Sequence, residues 1–251
     1  MYVQVIGRVA SLRDAGYYNQ AKKFNDVPFN LLQYPVDRVI FPALSKEGNI
    51  TAKSMQIISF SSFTIIPVLL LGSIIAPYVI VLLIGERWAE SGWMLSVMLF
   101  GTIGATMENL NRSFLKAAGR PDLVLKTDLF KRTICLSTLI ISLSWGIKGV
   151  LFAFVINGYI GWIMNCIAYK SICKVGIFLQ AKQVLLGIMF SILITALTFP
   201  FIYITSSYII KIILGFVVYI TIYIIILKFF KKNVYEFYVN IFKKINRNER
   251  N

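Results

Sequence analysis

The chain has 251 residues, of which 57% are apolar or aromatic and only 15% are charged. Soluble domains carry about 25% charged residues, so this composition and a mean hydropathy of +0.72 indicate that lipid covers much of the surface. A membrane-spanning helix needs about 20 mostly apolar residues, and this length holds at most about seven or eight of them. Little of the chain is therefore left over for a soluble catalytic domain.

The formal net charge of +15 does not indicate a nucleic-acid partner, because the basic residues lie between hydrophobic runs or in the tail, as in membrane proteins. Histidine is absent, and Cys135, Cys166 and Cys173 form no CxxC pair. These features argue against a zinc site, a disulfide framework and histidine-based catalysis. We predict a protein that is not an enzyme and that holds neither a metal nor another cofactor.

Charged and turn-forming breaks divide the chain into a short helical stub and seven full spans, which predicts an all-α, polytopic transmembrane helix bundle. The stub looks like the tail end of a spanning helix. The predicted segments are, approximately, Tyr2–Ala10, Gly16–Leu44, Met55–Ile84, Ser91–Ala118, Leu129–Trp145, Gly149–Tyr169, Val184–Ile204 and Tyr208–Leu227.

Loop charges predict the orientation of these spans. If the spans alternate in direction, one side of the membrane receives most of the lysines and arginines, including those of the tail. The other side receives only Arg13, Arg87, Lys148 and Lys211. By the positive-inside rule the richer side is cytoplasmic, and the carboxy terminus lies there. Residues 231–251 are predicted to be a basic cytoplasmic tail, either an amphipathic helix on the inner leaflet or a frayed end.

The first full span is unusually polar, with Lys22, Lys23, Asp26, Asp37 and Arg38 in one helix. A charge at mid-membrane costs roughly 2.5 to 3.5 kcal/mol on insertion scales, so such residues usually face a cavity or a partner. Lys22 and Asp26 are four residues apart and can pair along one helix face. A cavity-lining helix and a polar helix end near the interface both remain open interpretations, the latter being favoured for Asp37 and Arg38.

The third full span carries Glu108, Asn111 and Arg112 in its second half. Glu108 and Arg112 are spaced to neutralise each other at i and i+4, either in a wet cavity or as a structural pair between helices. Asp128, with the neighbouring Lys131 and Arg132, is expected to be a solvated cytoplasmic helix start.

Four motifs occur in an order and at a spacing that resemble the second half of Wzx-type polysaccharide exporters. They are the GYYN start, the FPALSK helix end, the LIGERW loop and the AGRPDL turn, within about Val5 to Lys182. These exporters form part of the multidrug/oligosaccharidyl-lipid/polysaccharide (MOP) flippase superfamily. The last two spans match only as generic hydrophobic helices.

The resemblance implies a flippase that moves undecaprenyl-diphosphate-linked oligosaccharide across the bacterial inner membrane by alternating access of two lobes. It implies proton or sodium coupling in some relatives. The expected partners are the lipid-linked oligosaccharide, membrane lipids and a first lobe, because the chain is expected to begin inside the seventh helix of the family.

This reading divides the chain into a second-lobe bundle (1–180), two terminal transmembrane helices (181–230) and the tail. Membrane position and charge nominate a set of cavity-lining residues that would attract diphosphate and acidic sugars. The candidates are Arg8, Lys22, Lys23, Asp26, Arg38, Glu108, Asn111 and Arg112.

Three alternatives remain. An integral-membrane glycan polymerase or acyltransferase would be expected to have sizeable outward loops, whereas the predicted outward loops are short. A cation-driven drug exporter of the same superfamily fits the motifs less well. A nonfunctional fragment would leave polar faces of the first and third full spans uncovered.

Overall fold

The computed structural model describes residues 11–45, 50–173, 175–202 and 207–230, with side chains for 11–31, 51–173, 175–202 and 207–229. These residues form helices and short turns without a strand, which confirms the all-α prediction. The predicted stub and the tail lie outside the described residues. Seven helices are described: α1 (Leu12–Ser45), α2 (Ile50–Ile84), α3 (Ala89–Ala117), α4 (Pro121–Ser142), α5 (Gly146–Lys170), α6 (Ile177–Ile202) and α7 (Tyr208–Phe230).

Four helical segments of the described chain are long and apolar enough to cross a membrane. One of them joins α4 and α5, which a single 3₁₀ turn at Leu143–Trp145 and a positive φ of 61° at Gly146 separate into two helices. The polar helices α1 and α3 do not pass the same criterion. The chain is a multi-pass membrane protein. The segments are Thr51–Ile84, Pro121–Lys170, Ile177–Ile202 and Tyr208–Phe229.

The turn between α3 and α4 shows why the AGRPDL motif ends one helix and begins the next. Gly119 has a φ of 73°, and its N–H donates to the carbonyl of Lys116 while Arg120 N–H donates to that of Leu115. This is a Schellman ending, in which glycine takes the left-handed position. Pro121 then occupies the first turn of α4, where its missing N–H costs nothing. Helix α4 thus begins about eight residues before the predicted start at Leu129.

Helix α3 is the centre of the bundle and packs against α1, α2, α4 and α5. It approaches α5 closely through glycines: a Cβ at Gly104 would lie 2.7 Å from the carbonyl carbon of Gly158, and one at Gly158 would lie 2.6 Å from the oxygen of Gly101. Small residues at such crossings let helix backbones approach, as is common between membrane helices. Helices α6 and α7 pack on each other and on α2.

Two prolines inside α2 leave carbonyl groups that neighbouring helices satisfy. Proline lacks an N–H, so Pro67 and Pro77 free the carbonyls four residues earlier, at Phe63 and Ser73. The hydroxyl of Tyr223 on α7 donates to Phe63 O, and that of Ser96 on α3 donates to Ser73 O. Because lipid cannot supply such donors, these contacts fix α3 and α7 against α2.

Candidate functional site

Three of the predicted site residues lie on one accessible face of α1. Lys22 Nζ lies 2.6 Å from Asp26 Oδ2, and the two side chains are 40% and 45% exposed. Lys23 beside them is exposed and has no ion pair among the described residues. The predicted i to i+4 pair therefore exists, and the neighbouring lysine gives this face a net positive charge.

The buried face of α1, which adjoins the charged one, explains this orientation. Tyr18, Ala21 and Asn25 are buried where α1 packs on α3, and Thr102 Oγ1 donates a 2.8 Å hydrogen bond to Asn25 Oδ1. The buried positions are three to four residues apart, as one helix face requires. The interface with α3 thus leaves Lys22, Lys23 and Asp26 on the adjoining flank of α1, which the described bundle covers only in part.

Glu108 lies in a second charged group, between α3, α4 and α5. Its side chain is only 4% exposed and accepts a hydrogen bond from Lys131 Nζ on α4. Arg112 Nη1 is farther away, 3.7 Å from Glu108 Oε1. A Cβ at Gly161 of α5 would overlap the Glu108 carboxylate, so the absence of a side chain there makes room for the Glu108–Lys131 pair.

Arg112 bonds most closely to Asp128 of α4, through Nη1 to Oδ1 at 2.7 Å and Nη2 to Oδ2 at 2.9 Å. The fork-to-fork geometry is the strong form of this contact. Glu108, Arg112, Asp128 and Lys131, which we call the four-charge network, contain two acids and two bases and are neutral as a set. They link α3 to α4 within the described chain.

The expectation that Asp128, Lys131 and Arg132 form a solvated helix start is wrong for Asp128 and Lys131, whereas Arg132 is exposed. Because α4 begins at Pro121, Asp128 and Lys131 fall beyond its second turn, and their side chains are only 25% and 23% exposed. The spacing of three residues places them on one helix face toward α3. The cluster of charged residues at this point of the sequence suggested solvent exposure and did not reveal the burial. The proline of the AGRPDL motif, which is typical of a first helical turn, would have predicted the correct start of α4.

Asn111 is buried in an amide cluster rather than beside the four-charge network. Its Nδ2 donates to Gln180 Oε1 at 2.9 Å, and Gln180 Nε2 donates back to Asn111 Oδ1 at 2.8 Å. Trp162 Nε1 donates to the same Gln180 oxygen at 3.2 Å. These contacts join α3, α5 and α6, and the pairing partner Gln180 was not among the predicted residues.

The remaining nominated residues cannot be placed by their side chains. Arg8 lies outside the described residues, and Arg38 is described only as part of helix α1. The structure thus separates the others into a face of α1, the four-charge network and the amide cluster. Among the described residues no group of histidine, cysteine and acidic side chains could hold a metal ion.

A further ion pair, at the junction of α3 and α4, is exposed. Arg120 donates two 2.9 Å hydrogen bonds to Asp122, and this contact raises the pKa of the Arg120 guanidinium. Both side chains are 47% exposed, so water screens the pair. It provides a solvent-facing counterpart to the four-charge network.

Comparisons with known proteins support the resemblance found in the sequence. A family described as "Polysaccharide biosynthesis protein" matches residues 1–92. The solved structure of the lipid II flippase MurJ in an inward closed conformation superposes with a TM-score of 0.68 over 86% of the chain, at 17% identity. No curated protein matches significantly.

The chain spans about half of the flippase, 47% of that protein's length. At this identity the likeness shows the fold. The family match over residues 1–92 and the shared fold agree with the resemblance that the sequence motifs indicated.

Proposed function

We propose that the chain forms the second lobe and two terminal helices of a flippase that carries undecaprenyl-diphosphate-linked oligosaccharide across the inner membrane. The other lobe would come from the same gene product or from a partner chain. The two lobes would rock about a cavity between them. Transport of this kind needs no bound cofactor, although a proton or sodium gradient could drive it.

The observation that carries the proposal is a contrast between accessible helix faces. Along the middle of α6 and α7 the exposed large side chains are apolar, such as Leu185, Ile192, Ile213 and Phe216, as expected of helices that meet lipid, and the exposed lysines of these helices lie near an end, at Lys182 and Lys228. The accessible face of α1 instead carries Lys22, Lys23 and Asp26. Because charge is costly against lipid, this face suits a water-filled cavity or a second lobe.

The cationic excess on α1 also suits the chemistry of the substrate. Diphosphate and acidic sugars carry negative charge, and lysine is a flexible cation that binds phosphate oxygens. Lys22 is already neutralised by Asp26, whereas Lys23 has no ion-pair partner in the described chain. We therefore assign the main attraction of this face to Lys23.

The test is transport by the protein isolated with any lobe that accompanies the chain and reconstituted in liposomes. A fluorescent lipid-linked oligosaccharide reports flipping through quenching by an impermeant reductant. Lys23→Gln should lower the flipping rate about tenfold, the loss of one charge-assisted contact. Lys126→Gln, which removes an exposed lysine of α4, should leave the rate unchanged.

Two results would contradict the proposal. One is the absence of flipping by the complete protein with any lipid-linked oligosaccharide. The other is an equal rate for Lys23→Gln and Lys126→Gln, which would remove the α1 face from the transport path. Equal amounts of folded protein, checked by gel filtration in detergent, make the rates comparable.

A further inference from the structure

A pocket of about 490 Å³ with two arginines in its lining lies where the start of α1 meets the turn between α2 and α3. Its volume is in the range of small-molecule sites, about 300 to 1,000 Å³. It lies far from the four-charge network, because α3 rises about 30 Å from Ala89 to Glu108. The lining residues are Leu12, Arg13, Gly16, Tyr17, Arg87 and Trp88.

The two arginines of this pocket lack carboxylate partners in the described part of the chain. The acids nearest in the chain do not bond to these arginines: Asp14 accepts a 2.8 Å hydrogen bond from the Ser11 hydroxyl, and Glu90 accepts one of 2.7 Å from Trp93. The charges of both acids still act on Arg13, and the exposed Glu86 directly precedes Arg87. Arg13 and Arg87 are both exposed. Two guanidinium groups without an ion pair among the described residues thus line one pocket, and acidic side chains lie at its edge.

Aromatic rings hold both guanidinium groups in place. Arg13 Nε donates a 2.8 Å hydrogen bond to the Tyr17 hydroxyl, and its guanidinium carbon lies 5.4 Å from the Tyr17 ring centre. Arg87 lies 5.9 Å from the Trp88 ring centre. Arg13, whose Nε is bonded to Tyr17, retains its two Nη groups for planar, two-pronged binding of phosphate, and Arg87 stacked on an indole retains its N–H edge.

The rings themselves form a fixed wall between the two elements. Tyr17 and Trp88 meet edge to face, with centres 5.8 Å apart and planes at 84°. A Cβ at Gly16 would lie 3.9 Å from Trp88, so the indole rests directly against α1. The arginines are therefore attached to a packed junction, which lowers the entropy lost when a ligand orders them.

We propose that this pocket binds the diphosphate of a lipid-linked saccharide, with Arg13 and Arg87 on the phosphate oxygens. The inference rests on the proposed function and deepens it. On the predicted topology both arginines lie on the outward side. The pocket would thus hold the diphosphate group where it leaves the membrane, apart from the α1 face that first attracts it.

Binding to the full chain in detergent tests the proposal, with farnesyl diphosphate as the probe and empty micelles as background. Arg13→Gln and Arg87→Gln should each weaken binding about tenfold, since each removes a charge-assisted contact. Lys148→Gln, which removes an exposed cation from the same predicted side, should not change it. Arg87→Lys should recover part of the loss, because lysine keeps the charge without the fork.

Phosphatidylglycerol, a single-phosphate lipid, distinguishes a diphosphate site from a general lipid-headgroup site. It should compete with farnesyl diphosphate weakly, and inorganic pyrophosphate should compete better. Equal competition by phosphatidylglycerol, or arginine variants that bind like Lys148→Gln, would overturn the proposal. The binding assay is independent of transport, so the two proposals can fail separately. If the protein binds farnesyl diphosphate through the two arginines but flips no lipid, only the proposed function is contradicted. If it flips lipid normally but the arginine variants bind farnesyl diphosphate as well as the unsubstituted chain, only the pocket proposal is contradicted.

Discussion

At the scale of single residues, the buried carboxylate of Glu108 is the group whose surroundings matter most. An ion taken out of water loses several kcal/mol of hydration, which only close partners and hydrogen bonds can offset. Lys131 supplies the close contact, whereas Arg112 is 3.7 Å away and is shared with Asp128. Glu108 thus depends chiefly on Lys131.

Lys131→Met tests this dependence. The substitution keeps an apolar stem of similar length but leaves Glu108 without its nearest cation, so we expect a loss of about 3 kcal/mol in the free energy of unfolding. Adding Glu108→Gln should recover most of that loss, because it removes the unpaired buried charge and leaves the oppositely charged Arg112 and Asp128 as the remaining ion pair. Unfolding in detergent, followed by tryptophan fluorescence, measures both effects.

The exposed pair of Arg120 and Asp122 is the matched control. Arg120→Met removes the cation of a pair that is 47% exposed on both sides, and such pairs contribute at most about 1 kcal/mol. If Arg120→Met lowered the free energy of unfolding as much as Lys131→Met, burial would not explain why the Glu108–Lys131 pair matters more than the exposed pair. No recovery in the double variant would show that Lys131 acts through packing rather than charge.

At the scale of elements, α2 shows how membrane helices depend on their neighbours. Pro67 frees the carbonyl of Phe63, and the Tyr223 hydroxyl of α7 occupies it. Tyr219, one turn earlier on α7, donates to Pro67 O at 3.0 Å. The terminal helix α7 is therefore held by directional contacts as well as by its apolar surface.

Tyr223→Phe should lower the free energy of unfolding by about 1 kcal/mol, the upper part of the range measured between membrane helices. In a Pro67→Ala background the same substitution should cost less, because alanine at 67 restores an N–H that can bond Phe63 O within α2. The double-mutant cycle isolates this coupling. Equal costs in the two backgrounds would show that Tyr223 stabilises the helix pair by other contacts.

The helices could be predicted from hydropathy, but the contacts between them could not. The predicted spans agree with all seven described helices to within about eight residues, and the largest difference falls at the polar start of α4. Sequence spacing identified the pair of Lys22 and Asp26 within one helix. It could not identify Asp128 as the partner of Arg112, because that contact depends on how α3 and α4 are rotated against each other.

At the scale of the whole molecule, orientation in the membrane decides what the two cationic regions can do. The α1 face and the outward pocket have the proposed roles only if the turns at Glu86 and Ser144 lie outside and the turn at Ser171 lies inside. The basic loops and tail predict this arrangement. The division into 1–180, 181–230 and the tail stays a prediction that these orientations do not test.

Single cysteines at the three turns test the orientation, because Glu86, Ser144 and Ser171 are all exposed in the folded chain. A membrane-impermeant maleimide should label Glu86→Cys and Ser144→Cys in intact cells whose outer barrier admits it, and Ser171→Cys only after the inner membrane is opened. The unsubstituted chain gives the background, which should be low because Cys166 and Cys173 are buried and Cys135 is partly buried. The reverse pattern would place Arg13 and Arg87 on the cytoplasmic side and would contradict the proposal that their pocket holds the diphosphate after transport.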